Sequence, residues 1–207
     1  MRVGLLGGTF DPPHVGHLLA AVDALERLTL DRLAFVPAAT QPLKAIRRTA
    51  PAADRLAMLR LLLGDDRRFT VDPVEIDREG LSYTVETLDD YARRHPGAEL
   101  FFLAGADVLT SFSRWREPAR VLTLARLVLL TRASADVPEL LSSVAAESGR
   151  MAQALGVPPE RAPLVLDTRR VDVSATEIRE RVRLGKSIRG FVPEAVAEHI
   201  AAAGLYR

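Results

Sequence analysis

The chain has no cysteine and no asparagine, and only two of its 28 basic residues are lysines, Lys44 and Lys186. Without cysteine there is no disulfide framework and no thiolate metal site. No apolar run continues long enough, uninterrupted by charge, to span a bilayer. Strand-like sequence begins at Val3, so no secretory leader is expected. The formal net charge is +1, so no excess of one sign calls for a nucleic-acid or membrane partner. A cytoplasmic location is the expectation that remains. The dominance of arginine runs against the Lys- and Glu-rich pattern of hyperthermophiles, and it makes each lysine conspicuous.

What is present is a globular pattern. The 207 residues are 48% hydrophobic, enough to bury a real core in a single domain over 1–207. Short apolar runs at 3–6, 33–36, 100–103, 127–130 and 164–166 read as strands, and 69–76 reads as extended with Asp72-Pro73 interrupting it. Between them, 18–25, 52–63, 84–94, 138–155 and 193–203 read as helices. Leu56, Leu59 and Leu63 mark one helix face, and Val85, Leu88 and Tyr91-Ala92 another. The alternation predicts an α/β fold, a doubly wound parallel sheet with helices on both faces. In such sheets ligands sit at the carboxyl ends of strands, near the point where strand order reverses. Gly8 and Gly105 both follow strands and are expected to face one cleft.

The richest segment is Gly7-Gly8-Thr9-Phe10-Asp11-Pro12-Pro13-His14-Val15-Gly16-His17. Its glycines let backbone turn tightly and approach a ligand. The helix behind it offers free N–H groups and the positive end of its dipole to an anion. Two imidazoles at that junction add donors for developing negative charge. Two other readings stand beside phosphate chemistry: a purely structural turn, and a metal pair formed by His14 and His17 with Asp11 as a third ligand. Zinc requires at least three protein ligands, and the intervening prolines make that geometry awkward. A second segment, Val173-Ser174-Ala175-Thr176-Glu177-Ile178-Arg179, opens a helix to about Leu184 with a capping box, Ser174 and Glu177. The Ser174 and Thr176 hydroxyls and the Arg179 fork also suit a phosphate. Gly185-Lys186-Ser187 ends like a P-loop, but Glu180 occupies the required first glycine; Gly185 reads as a helix C-cap.

His14-Val15-Gly16-His17 resembles the HxGH signature of the nucleotidylyltransferase superfamily, and the longer segment resembles the opening of bacterial nicotinate-mononucleotide adenylyltransferases. Residues 173–179 resemble that family's ISxTxIR signature. Ser82-Tyr83-Thr84, Gly105-Ala106-Asp107, Trp115, Arg132 and Gly204-Leu205-Tyr206-Arg207 continue the resemblance across the chain. It implies a Rossmann-like fold whose part from about 172 to 207 completes an ATP site. The implied reaction transfers AMP from ATP to nicotinate mononucleotide, releasing pyrophosphate by direct in-line attack. The implied catalytic residues are His14, His17, Lys44 and Arg179. ATP is expected against Gly8, Thr9, Phe10, His17, Gly105, Ser174, Thr176 and Arg179. The acceptor is expected against Thr9, Phe10, Lys44, Tyr83, Thr84, Asp107, Trp115 and Arg132. Mg²⁺ is expected to travel with ATP, with no protein ligand.

Ordinary structural roles stand beside several of these: Thr84 as a helix N-cap, Asp107 as a cap of the next helix, Tyr83 and Trp115 as packing residues. Two departures are visible. The family's PPHK or PPHR segment is Gln41-Pro42-Leu43-Lys44 here, so Leu43 replaces a histidine. Ala133-Ser134 replaces a usual Pro-Gly. A sibling transferase acting on nicotinamide mononucleotide or phosphopantetheine, or a nucleotide-binding protein without catalysis, are the alternatives. Monomer and homo-oligomer both remain open.

Overall fold

In a computed structural model describing residues 1–41, 49–132 and 137–207, the apolar runs become six strands of one sheet. These are β1 (Arg2–Gly8), β2 (Arg32–Pro37), β3 (Phe69–Val71), β4 (Glu99–Gly105), β5 (Arg126–Arg132) and β6 (Leu164–Thr168). Among the described residues every neighbouring pair is parallel, in the order β3-β2-β1-β4-β5-β6. Mid-sheet parallel strands are covered on both faces, which is why β4 and β5 lack a polar side. Alternate residues divide between two cores. Leu6, Leu33, Phe35, Leu103 and Val128 face one, and Leu5, Ala34, Val36, Phe102, Leu127 and Leu129 the other.

The helices are α1 (Val15–Arg27), α2 (Ala52–Leu63), α3 (Val74–Arg78), α4 (Thr84–Arg94), α5 (Leu109–Phe112), α6 (Pro118–Leu124), α7 (Val137–Ala154), α8 (Ala175–Arg183) and α9 (Glu194–Ala202). α1, α2, α8 and α9 bury side chains in the first core; α4, α5, α6 and α7 in the second. The doubly wound reading therefore holds. β1 pairs with β2 on one side and β4 on the other, so strand order reverses between β1 and β4. Because all strands run one way, Gly8, Pro37, Gly105 and Arg132 close them on a single edge of the sheet. Among the described residues no helix is long and apolar enough to cross a membrane.

Three local readings need correction. Residues 69–76 are not one extended segment: Pro73 caps a short helix from Val74, and the strand stops at Val71. Proline suits that place because its missing N–H has no partner to lose at a helix start. The α2 face includes Leu59 and Leu63 as expected but turns away from Leu56. Arg55, Met58, Leu59, Leu62 and Leu63 are buried, and Leu56 only half so. Gly185 follows the C-cap Leu184, with φ +64°. Its N–H donates to Val182 and that of Lys186 to Arg181, at 2.9 and 2.8 Å, the Schellman pattern that places glycine one residue beyond the cap.

Candidate active site

The two histidines are built into the start of α1. His14 is the N-cap, and His17 stands three residues on. The His14 backbone N–H donates to His17 Nδ1 at 3.2 Å. The His14 side chain turns back on the His17 backbone, completing a reciprocal capping box of the kind Ser and Glu usually form. The rings stack with centroids 3.7 Å apart. Since His17 Nδ1 accepts, its proton sits on Nε2, which is then a donor. Gly16 makes room for the stack: a Cβ there would lie 3.0 Å from His14 Nδ1 and 3.1 Å from Cε1. Phe10 backs His17 edge-on at 5.1 Å. Its φ of +51° costs of order 1–3 kcal/mol for a side chain this large, and burial of the ring against Phe35 offsets that.

Asp11 joins this loop to distant segments. Its Oδ1 accepts from the Ala50 N–H at 3.1 Å and from the Tyr206 hydroxyl at 2.7 Å. Its backbone carbonyl accepts from Arg179 Nη1, and that nitrogen lies 4.0 Å from Asp11 Oδ2. Arg179 also donates to Thr176 Oγ1 at 2.9 Å, one turn back on α8. Ser174 caps α8 by accepting from the Glu177 N–H at 3.2 Å. The expected ISxTxIR-like group therefore meets the HxGH-like group through Asp11. Burial and the hydrogen bond to Asp11 both push the Tyr206 phenol above its ordinary range.

Arg55 is the residue that sequence reasoning missed. It is 2% exposed. Nη1 donates to the carbonyls of Thr9 and Ala38 at 2.9 and 2.8 Å, and Nε to that of Ala50 at 3.2 Å. One guanidinium thus ties the loop after β1 to the loop after β2. Burial pulls its pKa below the ordinary value, while Asp11 and Tyr206 oppose the shift. The available signal was a lone arginine three and four residues before Met58 and Leu59, at the head of an apolar stripe.

The remaining expected residues divide in two. Tyr83 is the N-cap of α4 and Thr84 its first residue, which corrects Thr84 as the cap. The Arg116 guanidinium lies 4.8 Å from the Tyr83 ring centroid. Trp115 is half-buried and packs against Phe112 and Phe102 at 5.0 and 6.1 Å. Asp107 sits in a 3-10 turn, Ala106–Val108, and caps nothing with its side chain. A Cβ on Gly105 would come within 2.6 Å of Asp107 Oδ1, so glycine there lets the carboxylate fold over the strand end. Arg132 ends β5, but its side chain lies outside the described residues, as do Leu43, Lys44, Ala133 and Ser134. No group of three His, Asp or Glu that could hold a metal ion occurs among the described residues.

Comparison with known proteins adds an independent line. A family model described as cytidylyltransferase-like matches residues 5–181. A protein of Gemmatimonas aurantiaca described as "Probable nicotinate-nucleotide adenylyltransferase" is 51% identical over 208 residues, covering 100% of this chain and 93% of the relative. A protein of Thermus thermophilus with the same description is 43% identical, covering 100% of both. The structure of Plasmodium falciparum nicotinic acid mononucleotide adenylyltransferase complexed with NaAD superposes with a TM-score of 0.72, covering 99% of this chain and 97% of that one. Its 15% identity makes this a likeness of fold.

Proposed function

The chain belongs to the cytidylyltransferase-like family, among its nicotinate-nucleotide adenylyltransferases, and on that premise we propose that its reaction joins ATP and nicotinate mononucleotide in NAD biosynthesis. The 5′-phosphate of the mononucleotide attacks the α-phosphorus of ATP. Pyrophosphate leaves, and nicotinate adenine dinucleotide forms. The acceptor phosphate is itself the nucleophile, so no covalent enzyme intermediate is needed. Catalysis is then positioning and charge stabilisation, as in other phosphoryl-type transfers. Alignment of the reactants alone is worth roughly 7–11 kcal/mol in well-oriented systems.

The observation that carries this reading is the stacked His14–His17 pair at the start of α1, with Arg179 brought to the same loop by Asp11. In our reading His17 Nε2–H and the His14 ring stabilise the α- and β-phosphate oxygens as charge moves toward pyrophosphate. Arg179 holds the phosphates beside Ser174 and Thr176, and the segment from about 172 to 207 completes the ATP site. Gly8, Thr9, Phe10 and Gly105 line the nucleotides. Tyr83, Thr84 and Trp115 receive the pyridine ring, Asp107 the ribose, and Lys44 and Arg132 the acceptor phosphate. Mg²⁺ enters with ATP as part of the substrate, coordinated mainly by phosphates and water. Incubation with ATP, Mg²⁺ and nicotinate mononucleotide should yield a dinucleotide of the mass of nicotinate adenine dinucleotide, stoichiometric with pyrophosphate. Pyrophosphate without dinucleotide would point to hydrolysis instead.

A further inference from the structure

Beyond α9 the chain turns back toward the loop that precedes His14. The N–H groups of Gly204 and Leu205 donate to the carbonyls of Ala201 and Ile200 at 3.3 and 3.0 Å, closing α9 in a Schellman turn. Tyr206 follows with φ +65°, a backbone that a residue of this size adopts only where its surroundings over-determine it. Its ring is half-buried against the first core, and its hydroxyl donates to Asp11 Oδ1 at 2.7 Å. The His199–Asp54 pair, 2.9 Å apart, fastens α9 to the first turn of α2.

The transfer proposed above makes no use of that hydroxyl. What it touches is the carboxylate that faces Arg179. Asp11 is 3% exposed, and its Oδ1 receives both Tyr206 and the Ala50 N–H, the latter at 3.1 Å. Its Oδ2 stands 4.0 Å from Arg179 Nη1, beyond hydrogen-bond reach. That nitrogen donates instead to the Asp11 backbone carbonyl, and Nη2 to Thr176 Oγ1 at 2.9 Å. Both acceptors are neutral, so no carboxylate is bonded to the guanidinium. A closed arginine–carboxylate pair is charge-assisted and often bidentate, and it would compete with a phosphate for the same fork.

We propose that Tyr206 is a positioning residue for ATP: its hydroxyl holds the Asp11 carboxylate off Arg179 and so keeps the guanidinium charge for the triphosphate. This rests on the reading of Arg179 as the residue that holds the ATP phosphates. Tyr206→Phe keeps the ring but removes the proton that Oδ1 accepts. With the Ala50 N–H as its remaining donor, the carboxylate turns toward Arg179 and closes the pair that the triphosphate must then open.

The test is Tyr206→Phe, Asp11→Asn and the double variant, each measured for Kd of ATP with Mg²⁺ and for KM of both substrates. Tyr206→Phe is expected to raise Kd and KM for ATP about tenfold, the scale of one hydrogen bond to a charged group, with KM for nicotinate mononucleotide unchanged. In the Asp11→Asn background no carboxylate is left to close on Arg179. There Tyr206→Phe should change ATP affinity no further, since residues acting through one contact are non-additive. A purely structural hydroxyl would lower Tm without separating the two substrates, and that result overturns the proposal. An unchanged Kd for ATP overturns it, as does the same tenfold loss in the Asp11→Asn background. A Tyr206→Phe protein that does not fold makes the hydroxyl structural and overturns it too. A parent that binds ATP but forms no dinucleotide with nicotinate mononucleotide counts against the functional reading, and the Kd comparison for ATP still decides Tyr206.

Discussion

His17 Nδ1 accepts the backbone N–H of His14 at 3.2 Å, so the second histidine of the signature helps cap the helix with one ring nitrogen, while the proposed mechanism gives the other a catalytic role. His17→Ala should lower kcat about 10²–10³-fold, the usual loss for a donor that meets transition-state charge. KM for ATP should move only a few-fold. Steady-state kinetics on the purified variant decide it; near-normal turnover would remove His17 from the chemistry.

Gly16 tests the same stack from below. Alanine there crowds the His14 ring, since the new Cβ would lie 3.0 Å from Nδ1 and the ring must give by a few tenths of an ångström. If His14 acts on the phosphates as proposed, that shift costs rate, less than the order of 100-fold that about 1 Å costs. Gly16→Ala is therefore expected to lower kcat several-fold while thermal melting shows Tm lowered by only a few degrees.

Arg55 carries a larger structural burden. Arg55→Met leaves the carbonyls of Thr9, Ala38 and Ala50 without their donor and strips the charge facing Asp11. Breaking a buried charge cluster in this way costs about 3–5 kcal/mol, readable by urea denaturation. Arg55→Lys should recover only part of this stability, because an ammonium cannot reproduce the fork that reaches three carbonyls.

Asp23 anchors α1 to the residue after β6: its carboxylate receives the Arg169 N–H at 2.8 Å and the guanidinium at 2.5 Å. Burial acts to raise its pKa, but the Arg169 hydrogen bonds and charge outweigh burial and hold it below the ordinary 3.8. A depressed folded-state value means the contribution is present above the unfolded pKa and disappears as pH falls through the folded one. Asp23→Asn should therefore destabilise at neutral pH, with the difference shrinking progressively below pH 3.8. Denaturation curves across pH would show it. A difference independent of pH would contradict the ion-pair account.

Much of this was legible from residue order. The runs at 100–103 and 127–130 declared mid-sheet strands because burial on both faces leaves no polar side. The segment ending at His17 declared the junction where β1 gives way to α1. What was not legible depended on partners remote in sequence. Arg55 looks like a surface arginine until the carbonyls of two loops and Asp11 are seen around it, and the α2 face shifts accordingly from Leu56 to Arg55. The stretch from Phe69 to Ile76 alternates in two short pieces, Phe69-Thr70-Val71 and Val74-Glu75-Ile76, on either side of Asp72-Pro73. Its second half is helical, with Glu75 turned inward to the hydroxyl of Thr87. Tyr206 gives no local sign that its hydroxyl ends on Asp11.

The central claim is the acceptor, and pyrophosphate release with ATP and Mg²⁺ tests it most directly when nicotinate mononucleotide, nicotinamide mononucleotide and phosphopantetheine are compared by kcat/KM. The account predicts release with the nicotinate substrate well above either other acceptor. Equal or faster release with nicotinamide mononucleotide or phosphopantetheine would contradict the roles given to Tyr83, Thr84 and Trp115. No release from folded protein that binds ATP would contradict the reaction itself.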